Sequence, residues 1–112
     1  MPFINFTTQK KIIIWEGFTA SFYHSDQMTF AHVSIDEGAE LPEHHHIHEQ
    51  WTHIVEGELM FKLGGEQKIL KPGMSAFIPS NIPHSAKAIT ACKVIDAFLP
   101  IRQDFVELEK NA

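Results

Sequence analysis

At 112 residues the chain has room for one domain built on one core. With 44% hydrophobic and 21% charged residues, nine Phe among them, it is a globular composition and not a disordered one. The formal net charge of -5 and the lack of any Lys/Arg run exclude a basic surface for nucleic acid or an anionic membrane.

The first stretch, "MPFINFTTQKKIIIWEG", lacks the signal-peptide order of basic, apolar and small residues. No apolar run approaches the ~18 residues needed to span a bilayer. The chain is therefore expected to be soluble and cytoplasmic. Phe18 to Tyr23 and Met28 to Ile35 are short β-rich runs, with "HSDQ" as the turn between them. "DEGAELPE" reads as a breaker. Gln50 to Val55 is the next β-rich run, and Gly57 allows a tight turn.

"ELMFKL" alternates, with Leu59, Phe61 and Leu63 facing one way. Gly64-Gly65 suits a two-residue hairpin loop of the primed type. "EQKIL", "SAFIP", "AKAIT" and "ACKVIDAFL" complete the strand candidates, separated by "KPG" and "SNIPH". Cys92 has no second cysteine to pair with and reads as a small core residue. "RQDFVELEKNA" either makes a helical turn or two or is a frayed tail. Many short strands bounded by Gly, Pro and Asn predict an all-β sandwich or barrel.

"PEHHHIHEQWTH", Pro42 to His53, holds five of the eight histidines. On an extended segment His44, His46 and His48 share a face that continues to Gln50 and Thr52, while His45 and His53 point away. Neutral imidazoles at that spacing can bind one ion. The plainer reading of the cluster is a solvated loop with weak affinity for metals.

The spacing around the cluster carries more information. Gly38, five residues, His44, one residue, His46, three residues, Gln50, six residues and Gly57 resemble the first cupin motif at every anchor. Gly73, five residues, Pro79, Asn81 and His84 resemble the second, with Asn81 in a glycine position and Ala88 in the terminal Asn position. Asn tolerates the left-handed turn that a glycine serves there. The chain thus resembles the small single-domain cupins of the RmlC-like superfamily.

That resemblance implies a double-stranded β-helix, or jelly-roll, barrel over about residues 28–100, with 101–112 as a C-terminal tail. It also implies one divalent transition metal (Ni, Mn, Fe, Co or Zn) held by His44, His46, Gln50 and His84. Gln50 stands where many cupins have Glu, so the site keeps about one more positive charge, yet it remains a usable oxygen donor. His48 is a candidate for the layer behind the ligands. His45 and His53 read as rim or surface residues, and His24 and His32 as structural ones.

"ACKVIDAFLPIR" carries a carboxylate in an apolar strand. Asp96 shares its face with Cys92, Val94 and Phe98. An unpaired buried carboxylate costs several kcal/mol, so Asp96 is either paired, with Arg102 as the candidate, or held at a raised pKa for proton transfer. "D-x-F-x-P-x-R-x-D-F", Asp96 to Phe105, together with "HEQWTHIVEGEL" and "IPSNIPHSA", is similar to the KdgF-type pectin-degradation cupins.

Members of that family convert 4,5-unsaturated uronates from pectin or alginate into the linear 4-deoxy-5-keto uronate. The resemblance implies Asp96 as acid/base, Phe98 as a substrate contact and Arg102 as the partner of the substrate carboxylate. Two other classes stay open: a cupin dioxygenase, and a non-catalytic small-molecule-binding cupin. The resemblance to small cupins also implies a homodimer, and the apolar second face of "ACKVIDAFL" and the N-terminal "KKIIIW", which need covering, fit it.

Overall fold

The structure, a computed structural model, describes residues 3–112. The strands are β1 Ile12–Trp15, β2 Phe18–His24, β3 Thr29–Ile35, β4 Glu40–His44, β5 Glu49–Glu56, β6 Leu59–Leu63, β7 Glu66–Leu70, β8 Ser75–Ile78, β9 His84–Ala88 and β10 Cys92–Leu99, followed by helix α1 Gln103–Lys110. They form two antiparallel sheets, one in the order β1-β2-β3-β10-β5-β8 and one in the order β4-β9-β6-β7. Two such sheets face to face make the jelly-roll barrel.

Alternation decides what points inward. On β3 Thr29, Ala31, Val33 and Ile35 are buried while His32 and Ser34 are exposed. Strand register then lines the inward residues up in rows. Ile54 pairs with Val94, which pairs with Val33, which pairs with Ala20: an apolar row. The next row, Thr52, Asp96, Ala31 and Phe22, contains one acid. The row after that is Gln50, Phe98, Thr29 and His24. The large sheet therefore passes from apolar to polar along its strands, and the polar end lies toward His46, which meets Gln50 and Phe98.

The apolar end is closed by Leu59, Phe61, Leu70, Ala86 and Ala88 of the small sheet. Ile54, Leu59, Ile78 and Phe22 lose essentially all contact with solvent. Burial of each such side chain stabilises the fold by about 1.5–3 kcal/mol. Cys92 is a buried core residue, and its burial raises the thiol pKa, so it stays a thiol.

Two expectations change, and one of two alternatives is settled. The "DEGAELPE" breaker contains β4, because its Pro42 lies on a strand whose one paired neighbour is β9 and whose other side is free. Of the two readings of the last residues the helical one holds: α1 forms, and Phe105 stacks 4.9 Å from Phe22 and lies edge-on 5.7 Å from Phe98. The strand expected at "AKAIT" starts earlier, at His84. In the β6–β7 hairpin only Gly64 has a positive φ, 59°, which fits a primed turn with glycine in its first central position.

Gly57 is the position that tolerates least. Its φ is 88°, and a Cβ there would meet the Ala91 carbonyl oxygen at 2.2 Å. Gly57→Ala is expected to destabilise the fold by at least about 2 kcal/mol, read as a lower denaturation midpoint. An unchanged midpoint would contradict the backbone described.

Candidate metal centre and cavity

β4 leaves the small sheet at His44, the chain turns through residues 45–48, and β5 enters the large sheet at Glu49. The segment is thus not extended throughout, and the turn carries His46 back toward His44. β9 brings His84 into register opposite His44. One ring nitrogen from each of His44, His46 and His84 lies within 4.8 Å of the other two.

Each ring is oriented by its other nitrogen. Nδ1–H of His44 donates to the Pro42 carbonyl at 2.8 Å, that of His46 to His48 at 2.9 Å, and that of His84 to Ile82 at 2.8 Å. A neutral imidazole whose Nδ1 carries the proton has its lone pair on Nε2. Three Nε2 lone pairs therefore converge, and backbone carbonyls behind the rings hold them there. His84 Nε2 is buried with no hydrogen-bond partner. His46 Nε2 lies 3.1 Å from Gln50 Oε1, an acceptor facing an acceptor.

These orphaned lone pairs are what a cation would satisfy, so the residues fit a metal. His44, His46 and His84 form a group that could hold one, with Gln50 Oε1 at its edge. Two of the rings, His84 and His46, are also kept neutral. Burial pushes His84 down to about 4, with the neighbouring histidines and the Arg102 charge adding to the effect. Burial and the Arg102 charge lower His46 as well.

His44 and Gln50 open onto a cavity of about 490 Å³ that Thr52, Asp96, Phe98 and Arg102 also line. Asp96 is half-buried in that wall and accepts a hydrogen bond from Thr52 Oγ1 at 2.7 Å. Burial raises its pKa to about 6, against the opposing pull of Thr52, Arg102 and Gln50.

Asp96 is not ion-paired with Arg102, contrary to one of the two expectations. Arg102 turns instead to Asp104, two residues on, donating from Nε at 2.9 Å and Nη2 at 2.8 Å. Its guanidinium carbon lies 3.9 Å from the centre of the Phe105 ring and 4.7 Å from that of Phe98. Burial alone would raise the Asp104 pKa, but the bonds and charge of Arg102 outweigh it and leave it lowered.

The remaining histidines separate cleanly. His48 packs edge-on to His46 at 5.3 Å, with its Nδ1 buried and unpartnered; its backbone carbonyl, not its ring, orients His46. His45 is exposed, and exposed His53 bonds Ser75 Oγ at 2.7 Å. His24 bonds Thr29 at 2.8 Å and approaches Glu109 at 3.6 Å. His32 stacks on Phe6 at 4.1 Å. Thr52 and Asp104 are the residues that sequence reasoning left without roles. Thr52 shares the face of Gln50 and Asp104 lies within the Asp96–Phe105 signature, so both had a signal.

Residues 31–98 match the cupin domain family. The chain belongs to the cupin family. No curated protein matches this cupin. Among solved structures it is similar to an RmlC-like cupin from Shewanella frigidimarina, with 30% identity over 94% of this chain and 96% of that one and a TM-score of 0.89. It is similar to KdgF from Halomonas sp., with 30% identity over 92% and 97% of the two chains and a TM-score of 0.85.

The polyketide cyclase RemF from Streptomyces resistomycificus, 20% identical over 88% of this chain and 79% of that one with a TM-score of 0.79, shares the fold. Among the described residues no helix is long and apolar enough to cross a membrane.

Proposed function

We propose that this cupin is a metal-dependent enzyme that opens the ring of 4,5-unsaturated uronate monosaccharides. The observation that carries the reading is the shared cavity, which has His44 and Gln50, an acid of raised pKa at Asp96, and a cation at Arg102 on its walls. The similarity to KdgF from Halomonas supports it, as does the Asp96–Phe105 signature.

His44, His46, Gln50 and His84 would hold one divalent transition metal. When bound, it supplies Lewis acidity for the substrate oxygens and for developing enolate charge. The substrate is a cyclic enol ether with a hemiacetal. Asp96, ionised, takes the proton of the anomeric hydroxyl. The C1 carbonyl forms, the bond from C1 to the ring oxygen breaks, and the electrons pass to that oxygen as an enolate at C5.

Asp96 then returns the proton to C4, and the C5 ketone results. The reaction is an isomerisation with no net change of atoms or electrons. Arg102 binds the substrate carboxylate. Asp104 occupies its Nε and one Nη2 proton, so recognition falls to the end-on pair, Nη1 and the second Nη2 proton. Phe98 forms the apolar wall beside it.

Protein stripped of metal and reloaded singly with Ni, Mn, Fe, Co or Zn tests this. Loss of the ultraviolet absorbance of the unsaturated uronate should be faster than the spontaneous rate with at least one of them. No acceleration with any of the five sinks the reading.

We also propose a homodimer. The outer face of the large sheet exposes Trp51, its ring tilted against Phe77 at 4.8 Å, with Val55 on the same strand and Leu99 on the neighbouring β10. Exposed apolar area of this kind marks an association surface. Light scattering should give twice the 12.8 kDa chain mass, and a monomer at micromolar concentration would refute it.

A further inference from the structure

The large sheet aligns Thr52 beside Asp96 and two residues from Gln50 on one inward face. Thr52 is 3% exposed, which is unusual for a hydroxyl unless its hydrogen bonds are met inside. They are met on both sides. Gln50 Nε2 donates to Thr52 Oγ1 at 2.8 Å, and Thr52 Oγ1 donates to Asp96 Oδ1 at 2.7 Å. Gln50 Oε1 in turn faces His46 Nε2 at 3.1 Å. One chain of contacts thus runs from the histidine cluster to the acid.

The direction of this chain follows from its members. A side-chain amide has its oxygen at one end and its N–H groups at the other, and a hydroxyl has a single proton. With Oε1 turned toward the histidines, the amide N–H must go to Thr52, and the Thr52 proton must go to Asp96 Oδ1. Flipping the amide reverses both links and turns the Thr52 proton away from Asp96. The acceptor pair of His46 Nε2 and Gln50 Oε1 is favourable only with a cation against it, so a bound cation selects the first direction.

We propose that Thr52 is a positioning residue that couples the metal centre to the acid. Its oxygen holds the Gln50 amide with Oε1 toward the metal. Its proton pins Asp96 Oδ1 as an acceptor, leaving Oδ2 as the oxygen that exchanges a proton with substrate. This deepens the proposed function and rests on Gln50 as a ligand.

The test compares Thr52→Val, Thr52→Ser and Thr52→Ala, first by Zn²⁺ affinity in chelator competition and then by steady-state turnover. Valine keeps the shape and loses both bonds; serine keeps the bonds and loses the methyl. Thr52→Val should weaken Zn²⁺ binding by about 10–100-fold and, at saturating metal, lower kcat by up to about 100-fold with KM little changed. Thr52→Ser should stay near wild type in both.

The opposite order, with serine worse than valine, would show that Thr52 merely packs. Wild-type Zn²⁺ affinity in Thr52→Val would overturn the hold on Gln50. Serine and alanine share the lost methyl and differ only in the hydroxyl, so their difference decides the matter even where valine does not fold. The Zn²⁺ measurement needs no uronate, so it stands or falls apart from the reaction proposed.

Discussion

Asp96→Asn is expected to lower kcat/KM for the unsaturated uronate by about 10²–10⁴-fold, the range for removal of a general acid–base. The asparagine oxygen still accepts the Thr52 proton, so the loss reports chemistry rather than collapse of the wall. In the wild type the base must be ionised. Burial raises Asp96 to about 6, so kcat/KM should fall as pH drops below about 6 while metal content is held constant.

The same shift acts on stability. A carboxyl raised above its unfolded value of 3.8 stabilises the fold fully below that value and loses this contribution as pH rises through about 6. Asp96→Asn should therefore stabilise the metal-free fold at pH 7, by about 1–3 kcal/mol. His84, depressed to about 4, has the opposite sign: its contribution is present above its usual value and is lost as pH falls toward about 4. Thermal melts of the metal-free wild type and variant across this window check both. Retained turnover in Asp96→Asn would remove the acid from the mechanism.

His84→Ala should have the larger effect on metal. It deletes the most deeply buried of the three rings, one whose Nε2 finds no partner within the protein. Metal affinity is expected to fall by more than about 100-fold, beyond what loss of an outer partner costs. Metal at 100 times its Kd stabilises a fold by about 2.7 kcal/mol. The wild type should accordingly melt higher when metal is added, and His84→Ala should not. An equal rise in both would place the metal elsewhere.

Much of this site could be read before any coordinates, because it depends on short spacings along strands. His44, His46 and Gln50 fall within seven residues, and the second motif supplied His84. Asn81 at φ 64° fills the left-handed position expected of it. Alternation grouped Asp96 with Cys92, Val94 and Phe98 on one face of "ACKVIDAFL", and the structure turns that face inward, with Cys92, Val94 and Phe98 buried.

Other features depended on pairing across the barrel. Alternation puts Thr52 on the face of Gln50, but only the β5–β10 register sets it against Asp96. Arg102 and Asp96 looked like complementary charges. Yet Asp104 is close in sequence, and the rings of Phe98 and Phe105 hold the guanidinium where Asp104 reaches it. β4 was hidden because its proline and acids read as a breaker, although an edge strand tolerates them.

The central claim is that metal, Asp96 and the uronate meet in one cavity. Proton NMR of the 4,5-unsaturated uronate in D2O, with metal-loaded protein against the same protein in chelator, tests it most directly. The expected result is accelerated loss of the C4 vinyl signal only with the metal-loaded protein, giving a linear ketone that carries deuterium at C4. Equal spontaneous rates in both samples, with every metal tried, would contradict it.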